Sequence, residues 1–493
     1  MSNILTTEEV NYLIFRYLQE SGRLPIILFF SLEFTLKGYI HTAFAFGYES
    51  HINKTTIDSS LIPPGALISF LQRGISYVQI ESKLNISSGS EYVTNGHVSL
   101  LEAHKALANR KRINNAATGE EPSKGPETEF TEAEVTILTG HQKEVFTCAW
   151  HPKKPLLASG SADATVRLWK LSGNSKGAME GAVESIELKH GSPPLQDKDV
   201  TALDWNGDGS LLATGCYDGQ IRLWSDEGQL HSAVETHTGP IFAVEWNRRG
   251  NFLLSGSVDK TCAVYDVAQN RLLKRFSFHT GPTLDVDWRD DTSFASCSTD
   301  KTIYICRVDE DAPLRVFHGH EDEINTVRWD PSGSMLASCS DDRTVKVWSL
   351  ETRQVNGQST SCLYDFREHS RDVYAVRWSP SGPGTENPNK ALLLASASFD
   401  HTVKLWDIQS GICQWTLSKH TEPVYSVSFS PDGEYIASGS LDKYIHVWSI
   451  REGRVVRSFR ADGGIFEVCW SPSGDQIAAC LSSNMVCVLD FRM

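Results

Sequence analysis

Residues 319–348 read GHEDEINTVRWDPSGSMLASCSDDRTVKVW. His320 opens the stretch. Apolar Ile324 and Val327 lead to Trp329, a Pro-Ser-Gly turn follows at 331–333, and Ser338, Asp342 and Trp348 close it. Short apolar runs parted by turn residues mark antiparallel strands. The spacing returns along the chain: Ser159/Asp163/Trp169, Thr214/Asp218/Trp224, Ser396/Asp400/Trp406 and Ser438/Asp442/Trp448 repeat it. Ser255/Asp259 and Ser296/Asp300 do so with Tyr265 and Cys306 in place of Trp. A His precedes each set, at 141, 190, 237, 279, 320, 369 and 420. A period of about 40 residues made of strands and turns marks a circular array of small sheets, a β-propeller.

An eighth unit begins near Ala461 and reaches Trp470 without the His or the turn Asp. The last apolar run, Met485–Leu489, is its third strand. A spare strand, Val135–Leu138, precedes the first His and fits as the fourth, which removes an open seam of unpaired edge groups. Eight blades are expected over residues 134–493, with seven the alternative if the last unit is degenerate.

The chain has 493 residues, a net charge of −15, 40% hydrophobic and 22% charged residues. That composition is globular, and the negative balance argues against general or direct sequence-specific nucleic-acid binding. The eleven Cys form no CxxC pair and read as buried, reduced thiols of an intracellular protein. The most apolar run, Leu24–Leu36, is shorter than a membrane helix needs and is interrupted by Glu33, so no membrane span is expected.

His, Ser and Asp together suggest a hydrolase triad, but the grouping recurs in every unit, whereas an active site is needed once. The tetrad His141, Ser159, Asp163 and Trp169 reads as structural, a buried polar network in the strand–turn corner. No nucleophile elbow, phosphate loop, HExxH or metal-spaced Cys/His cluster is present. The chain reads as non-enzymatic, with no catalytic, cofactor or metal residues.

Partner specificity must come from positions that vary between units. Counting from each His except His190, a large aromatic stands at +9 and apolar residues stand at +4 and +7. That odd gap breaks strand alternation and predicts a bulge in the innermost strand. A bulge there aims the +5 residue, and with it +3, at one rim of the channel, beside the residue that precedes the turn Asp. The +5 sites hold Phe146, Phe242, Tyr374, Tyr425 and, with the last unit aligned by its aromatic Trp470, Phe466. Tyr217 and Phe399 precede the Asp, and the acids are Glu144, Asp199, Glu323 and Asp372. Aromatics edged by carboxylates suit a basic peptide through cation–π contact and charge pairing.

Ahead of the propeller, Thr6-Thr7-Glu8-Glu9 reads as a helix start, and Leu13, Ile14, Tyr17 and Leu18 follow helical spacing; a second patch carries Ala43 and Phe46. So small an apolar stripe favours self-association. Residues 61–84 give a further helical segment with a Pro63-Pro64 entry. Residues 107–133, including NNAATGEEPSKGPETEF, form a polar linker expected to be disordered, and a basic run at Asn109–Arg112 suits nuclear import.

The dipeptides Gly140-His141, Gly319-His320 and Trp406-Asp407 are those of WD repeats. The first helices resemble the LisH dimerisation motif (1–54), and the next segment (55–106) resembles an F-box-like one. EEVNYLIFRYLQESG (8–22), HTAFAFGYESHI (41–52) and LIPPGALISFLQRGISYV (61–78), followed by the propeller, resemble the transducin β-like, Ebi-type family of corepressor subunits. The resemblance implies a nuclear scaffold that joins N-CoR/SMRT-type corepressors and a class I histone deacetylase. It also implies binding of histone tails and transcription factors, homo-oligomerisation through LisH, and recruitment of ubiquitin-conjugating and proteasome components. In that family Gly22 runs almost directly into the equivalent of Tyr39; here Arg23–Gly38 intervenes, an apolar in-frame segment read as a retained short intron or gene-model error, which transcript sequencing tests. The alternative function is substrate receptor of a cullin-type ubiquitin ligase. A LisH–WD cytoskeletal regulator and a G-protein β subunit both lack the coiled coil they would need here.

Overall fold

Each repeat folds as four antiparallel strands. In blade five, the stretch quoted above, they are Ile324–Trp329, Met335–Ser340, Val345–Val355 and Gln358–Phe366. The computed structural model describes residues 128–171, 183–191, 198–355, 358–382 and 384–492. Among the described residues there are eight such sheets, so the degenerate last unit is a full blade. The first strand of each sheet packs against the first strand of the next, from Val145–Trp150 round to Ile465–Trp470, which returns to Val145–Trp150. These eight strands therefore line a central channel. No helix among the described residues is long and apolar enough to cross a membrane.

Blade eight is built from both ends of the propeller's sequence. Its own strands are Ile465–Trp470, Gln476–Leu481 and Met485–Asp490; the fourth is Val135–Thr139, antiparallel to the third with Ile137 opposite Cys487. The closing interface is as apolar as the others. Leu138, Val145, Leu157 and Trp169 pack with Ala478, Val486 and Val488 in one buried cluster.

The expected linker ends earlier than residue 133. Thr128–Glu129 adds a fifth strand, parallel, to the outer edge of blade seven. Phe130 is buried there, with the Arg457 guanidinium 4.0 Å from its ring centroid. A one-turn 3-10 helix, Glu132–Glu134, follows. Arg457 Nη2 donates to Glu134 at 2.7 Å and, with the Thr131 backbone N–H, holds that carboxyl down at about 2. Two paired residues and one aromatic anchor leave no periodic signal, so sequence spacing cannot show them. Residues 1–127, with the LisH-like and F-box-like segments, Arg23–Gly38 and the rest of the linker, lie outside the described residues.

The aromatic at +9 has a specific task beyond filling space. Its indole N–H reaches back to the +8 carbonyl of the preceding blade: Trp246 to Asp204 at 3.1 Å, Trp288 to Glu245 at 3.0 Å, Trp378 to Arg328 at 2.8 Å. Trp150, Trp205 and Trp470 do the same to Cys469, Ala149 and Ser428. Each bond adds about 1 kcal/mol net and also fixes the rotation of one blade on the next. Phe429 cannot donate, and buried Trp329 Nε1 has no partner.

Candidate peptide-binding face and channel

In blade one, His141 Nδ1 lies 3.0 Å from Asp163, its Nε2 lies 2.8 Å from Ser159 Oγ, and Trp169 Nε1 donates to the same Oγ at 2.8 Å. One proton arrangement satisfies all of them. Nδ1–H donates to the carboxylate, the Ser hydroxyl donates to Nε2, and the indole donates to the hydroxyl. Blades five, six and seven repeat this around His320, His369 and His420. Burial pulls each turn carboxyl up, but the His bond and the Thr and backbone donors outweigh it at Asp163, Asp342 and Asp400, leaving them well below the usual range, while His420 and backbone donors alone hold Asp442 at about 2. Burial lowers His320 and His369, which favours the neutral ring. Ser159, Ser338, Ser396 and Ser438 are wholly buried, each hydroxyl held between an imidazole and an indole.

Blade two departs from the expected network. His190 still meets Thr214 Oγ1 at 2.9 Å, but Asp218 turns to Arg222 at 2.7 Å, and His190 Nδ1 is left without a partner. Burial, reinforced by the Arg222 charge, pushes His190 down to about 3. In blades three and four the His–Asp–Ser bonds persist without the indole.

The +4 to +7 gap is a bulge in all eight blades. Register shifts between Val145 and Thr147, Ile324 and Thr326, and Val373 and Ala375, and at each equivalent place. The +5 residue is the one without a ladder partner. It is joined to the other rim positions by a recurring backbone bond. The residue before the turn Asp donates its N–H to the +3 carbonyl: Ala162 to Glu144, Tyr217 to Asp199, Asp341 to Glu323 and Phe399 to Asp372, all at 2.9–3.0 Å.

Five aromatics from blades six to one touch in sequence on this rim. Phe399 stacks on Tyr374 at 5.9 Å and lies 5.1 Å from Tyr425; Tyr374 meets Tyr425 at 5.0 Å; Phe466 bridges Tyr425 at 6.2 Å and Phe146 at 5.7 Å. Tyr374 is 42% exposed, far above a core aromatic. Asp372 and Glu144 flank the two ends of this arc. A separate pair, Tyr217 and Phe242, lies 6.4 Å apart beside Asp199 and is not joined to it by any ring contact among the described residues. In blade five, which carries Glu323 at +3, the +5 site holds Asn325 instead of an aromatic, and Asn325 Nδ2 donates to Asp341 at 2.7 Å. Burial and the neighbouring Asp372, Asp322 and Asp342 raise Asp341, a sign of concentrated negative potential at this lip.

The channel wall below holds a charge cluster that sequence reading did not single out. It comes from +6 and +8, positions whose meaning appears only once the bulge sets their direction. Arg328 pairs with Asp285 at 2.7 Å and Glu245 at 3.4 Å. Asp204 accepts the Trp246 N–H at 2.9 Å and Asp287 that of Trp329 at 2.6 Å, each across a blade boundary. Burial lifts Asp204, Glu245 and Glu467, and pushes Asp287 up to about 7.

Eight sheets closed into a ring, a buried polar network in the corners and an open aromatic rim define a WD-repeat propeller that serves as a scaffold for other proteins. The family model described as WD domain, G-beta repeat matches residues 132–170, 190–225, 228–266, 270–306, 311–349, 360–407, 411–449 and 453–490. The mouse F-box-like/WD repeat-containing protein TBL1X is 43% identical over 550 residues, covering 99% of each chain. The Arabidopsis thaliana WD40 repeat-containing protein HOS15 is 39% identical over 636 residues, covering 99% of this chain and 100% of its own. The C-terminal WD40 domain of Sif2 superposes with a TM-score of 0.62 at 22% identity, over 75% of this chain and 100% of that one, a likeness of fold. The chain belongs to the F-box-like/WD repeat-containing family.

Proposed function

We propose that this protein is a non-enzymatic, nuclear scaffold subunit of a corepressor and histone deacetylase complex. Its propeller takes basic histone-tail segments on the arc from Phe399 to Phe146. The observation that carries the peptide reading is that arc: touching aromatics, four at bulge positions and Phe399 before a turn Asp, one of them 42% exposed, with Asp372 and Glu144 at the +3 positions of its first and last blades. A lysine or arginine gains cation–π attraction from the ring faces and charge pairing from the rim. Full-length similarity to TBL1X supports the corepressor assignment. A yeast relative, 25% identical over 91% of this chain, is named SIR4-interacting protein SIF2, which supports a chromatin setting. The N-terminal segment supplies LisH-type self-association and corepressor contact, and oligomers gain avidity from several weak propeller contacts. Recruitment of ubiquitin-conjugating and proteasome components belongs to the same reading.

Tagged full-length protein purified from nuclear extract, with co-purifying proteins identified by mass spectrometry, tests this. Near-stoichiometric corepressor and class I deacetylase are expected. A cullin and its adaptor without corepressor would replace the reading with that of a ubiquitin-ligase substrate receptor, which the F-box-like name of the relatives favours.

A further inference from the structure

Ring closure assembles a group of donors that no linear spacing marks. Cys148 sits at +7 on the inner strand of blade one; Glu467 and Cys469 sit at +6 and +8 on the inner strand of blade eight, and Cys480 on its second strand. Cys148 Sγ, Cys480 Sγ and a Glu467 carboxylate oxygen all lie within 4.8 Å of one another. Cys469 Sγ is 3.4 Å from Cys148 Sγ, and the Cys148 N–H donates to Glu467 Oε2 at 2.9 Å.

The convergence is particular to this junction. At the place of Cys480, blades one, two, three and seven carry Gly160, Gly215, Gly256 and Gly439. A Cβ added at Gly439 would lie 2.4 Å from Ile465 and 2.8 Å from Val468, the apolar +4 and +7 residues of the next blade. Cys297 and Cys339 hold this place in blades four and five, where they pack with Val327 and Val376 as small apolar residues. Only at the junction of blades eight and one is the facing +7 residue itself a Cys. Cys148 and Cys480 are buried, at 4% and 0% exposure, while Cys469 and Glu467 are half-buried and leave an approach from the channel.

We infer that Cys148, Cys480 and Glu467 form a three-ligand site for a thiophilic divalent cation of the zinc class, joining the first blade to the last, with the Cys469 thiol beside Cys148. Tetrahedral zinc with sulfur ligands at ~2.3 Å separates its ligand atoms by roughly 3.7 Å, a spacing that fits inside the 4.8 Å within which these three donor atoms lie. Two soft thiolates and one carboxylate select zinc over calcium or magnesium. A cysteine binds such a cation as its thiolate, so loading the site releases protons.

The test uses reduced, chelator-stripped full-length protein titrated with cobalt(II) chloride. Expected are a thiolate-to-cobalt charge-transfer band and tetrahedral d–d bands that saturate at about one equivalent per chain and vanish on adding zinc. Cys480→Gly and Cys148→Val each install the residue that other blades carry at that place, so the ring keeps its packing. Each should weaken cobalt binding at least 10-fold and abolish the zinc-dependent rise in melting temperature. A folded wild-type chain with no charge-transfer band overturns the inference, and so does a band that survives both substitutions.

Discussion

Ser338→Ala is the sharpest test of the tetrad, because one hydroxyl serves two buried partners. Ser338 Oγ lies 2.7 Å from His320 Nε2 and accepts from Trp348 Nε1 at 2.8 Å, with Trp348 only 3% exposed. Removing it strands an indole donor and an imidazole acceptor where water cannot replace them. At about 1–3 kcal/mol for each orphaned buried group, the loss should be about 2–6 kcal/mol. Blade three supplies the control. Ser255 Oγ meets His237 Nε2 at 2.7 Å and otherwise makes only a long 3.4 Å contact with the Ala263 carbonyl, since Tyr265 stands where the Trp would. Ser255→Ala strands one group and should cost about 1–3 kcal/mol. Urea denaturation of the full chain, followed by circular dichroism, compares the two midpoints at constant slope. Trp348→Phe combined with Ser338→Ala should then cost less than the two single changes added, because the indole no longer needs a partner. Equal losses in the two blades, or strict additivity in the double variant, would refute the account of the hydroxyl as a shared hub.

Other outcomes follow from the same geometry. Tyr374→Ala and Phe399→Ala should each weaken a basic histone-tail peptide by about 10-fold in fluorescence anisotropy; an acidic or poly-alanine peptide that outcompetes it would remove the ligand assignment. Arg343 has a left-handed φ of 69°, so Arg343→Gly should stabilise by about 0.5–1 kcal/mol in the same urea assay. His446 is buried and pushed down to about 3, chiefly by desolvation. The unfolded chain thus binds a proton first as pH falls below ~6.5, and wild type should lose about 1.4 kcal/mol per pH unit relative to His446→Asn between ~6.5 and ~3. Asp287 carries the opposite sign. Burial raises its carboxyl to about 7, so wild type should lose stability relative to Asp287→Asn as pH rises from about 4 to about 7, read from paired urea midpoints.

The repeats were legible because they are redundant. One strand–turn pattern recurring with Ser, Asp and Trp in step determines blades, order and even the bulge, since an apolar gap of three cannot fit a pleat of two. The closing strand was legible for the same reason, as Val135–Thr139 had no other partner to satisfy its edge. What stayed hidden depends on side-chain direction across blades. Nothing in the spacing says that Asp218 will choose Arg222 over His190, or that Arg328 will gather Asp285 and Glu245. The rim was readable as positions and not as a continuous surface. That Phe466 bridges Tyr425 to Phe146 needs the blade-to-blade angle, which only the closed ring fixes.

The strand that completes blade eight belongs to the start of the propeller's sequence, and this sets a timetable for synthesis. Val135–Thr139 leaves the ribosome first and cannot find Met485–Asp490 until every other blade has emerged. At ~5–20 residues per second that interval is on the order of tens of seconds. Throughout it the nascent chain carries an unpaired strand at one end and an unfinished sheet at the other. A premature stop in the last blade would leave both exposed for good, so even a short terminal truncation should mark the product for chaperone retention and degradation.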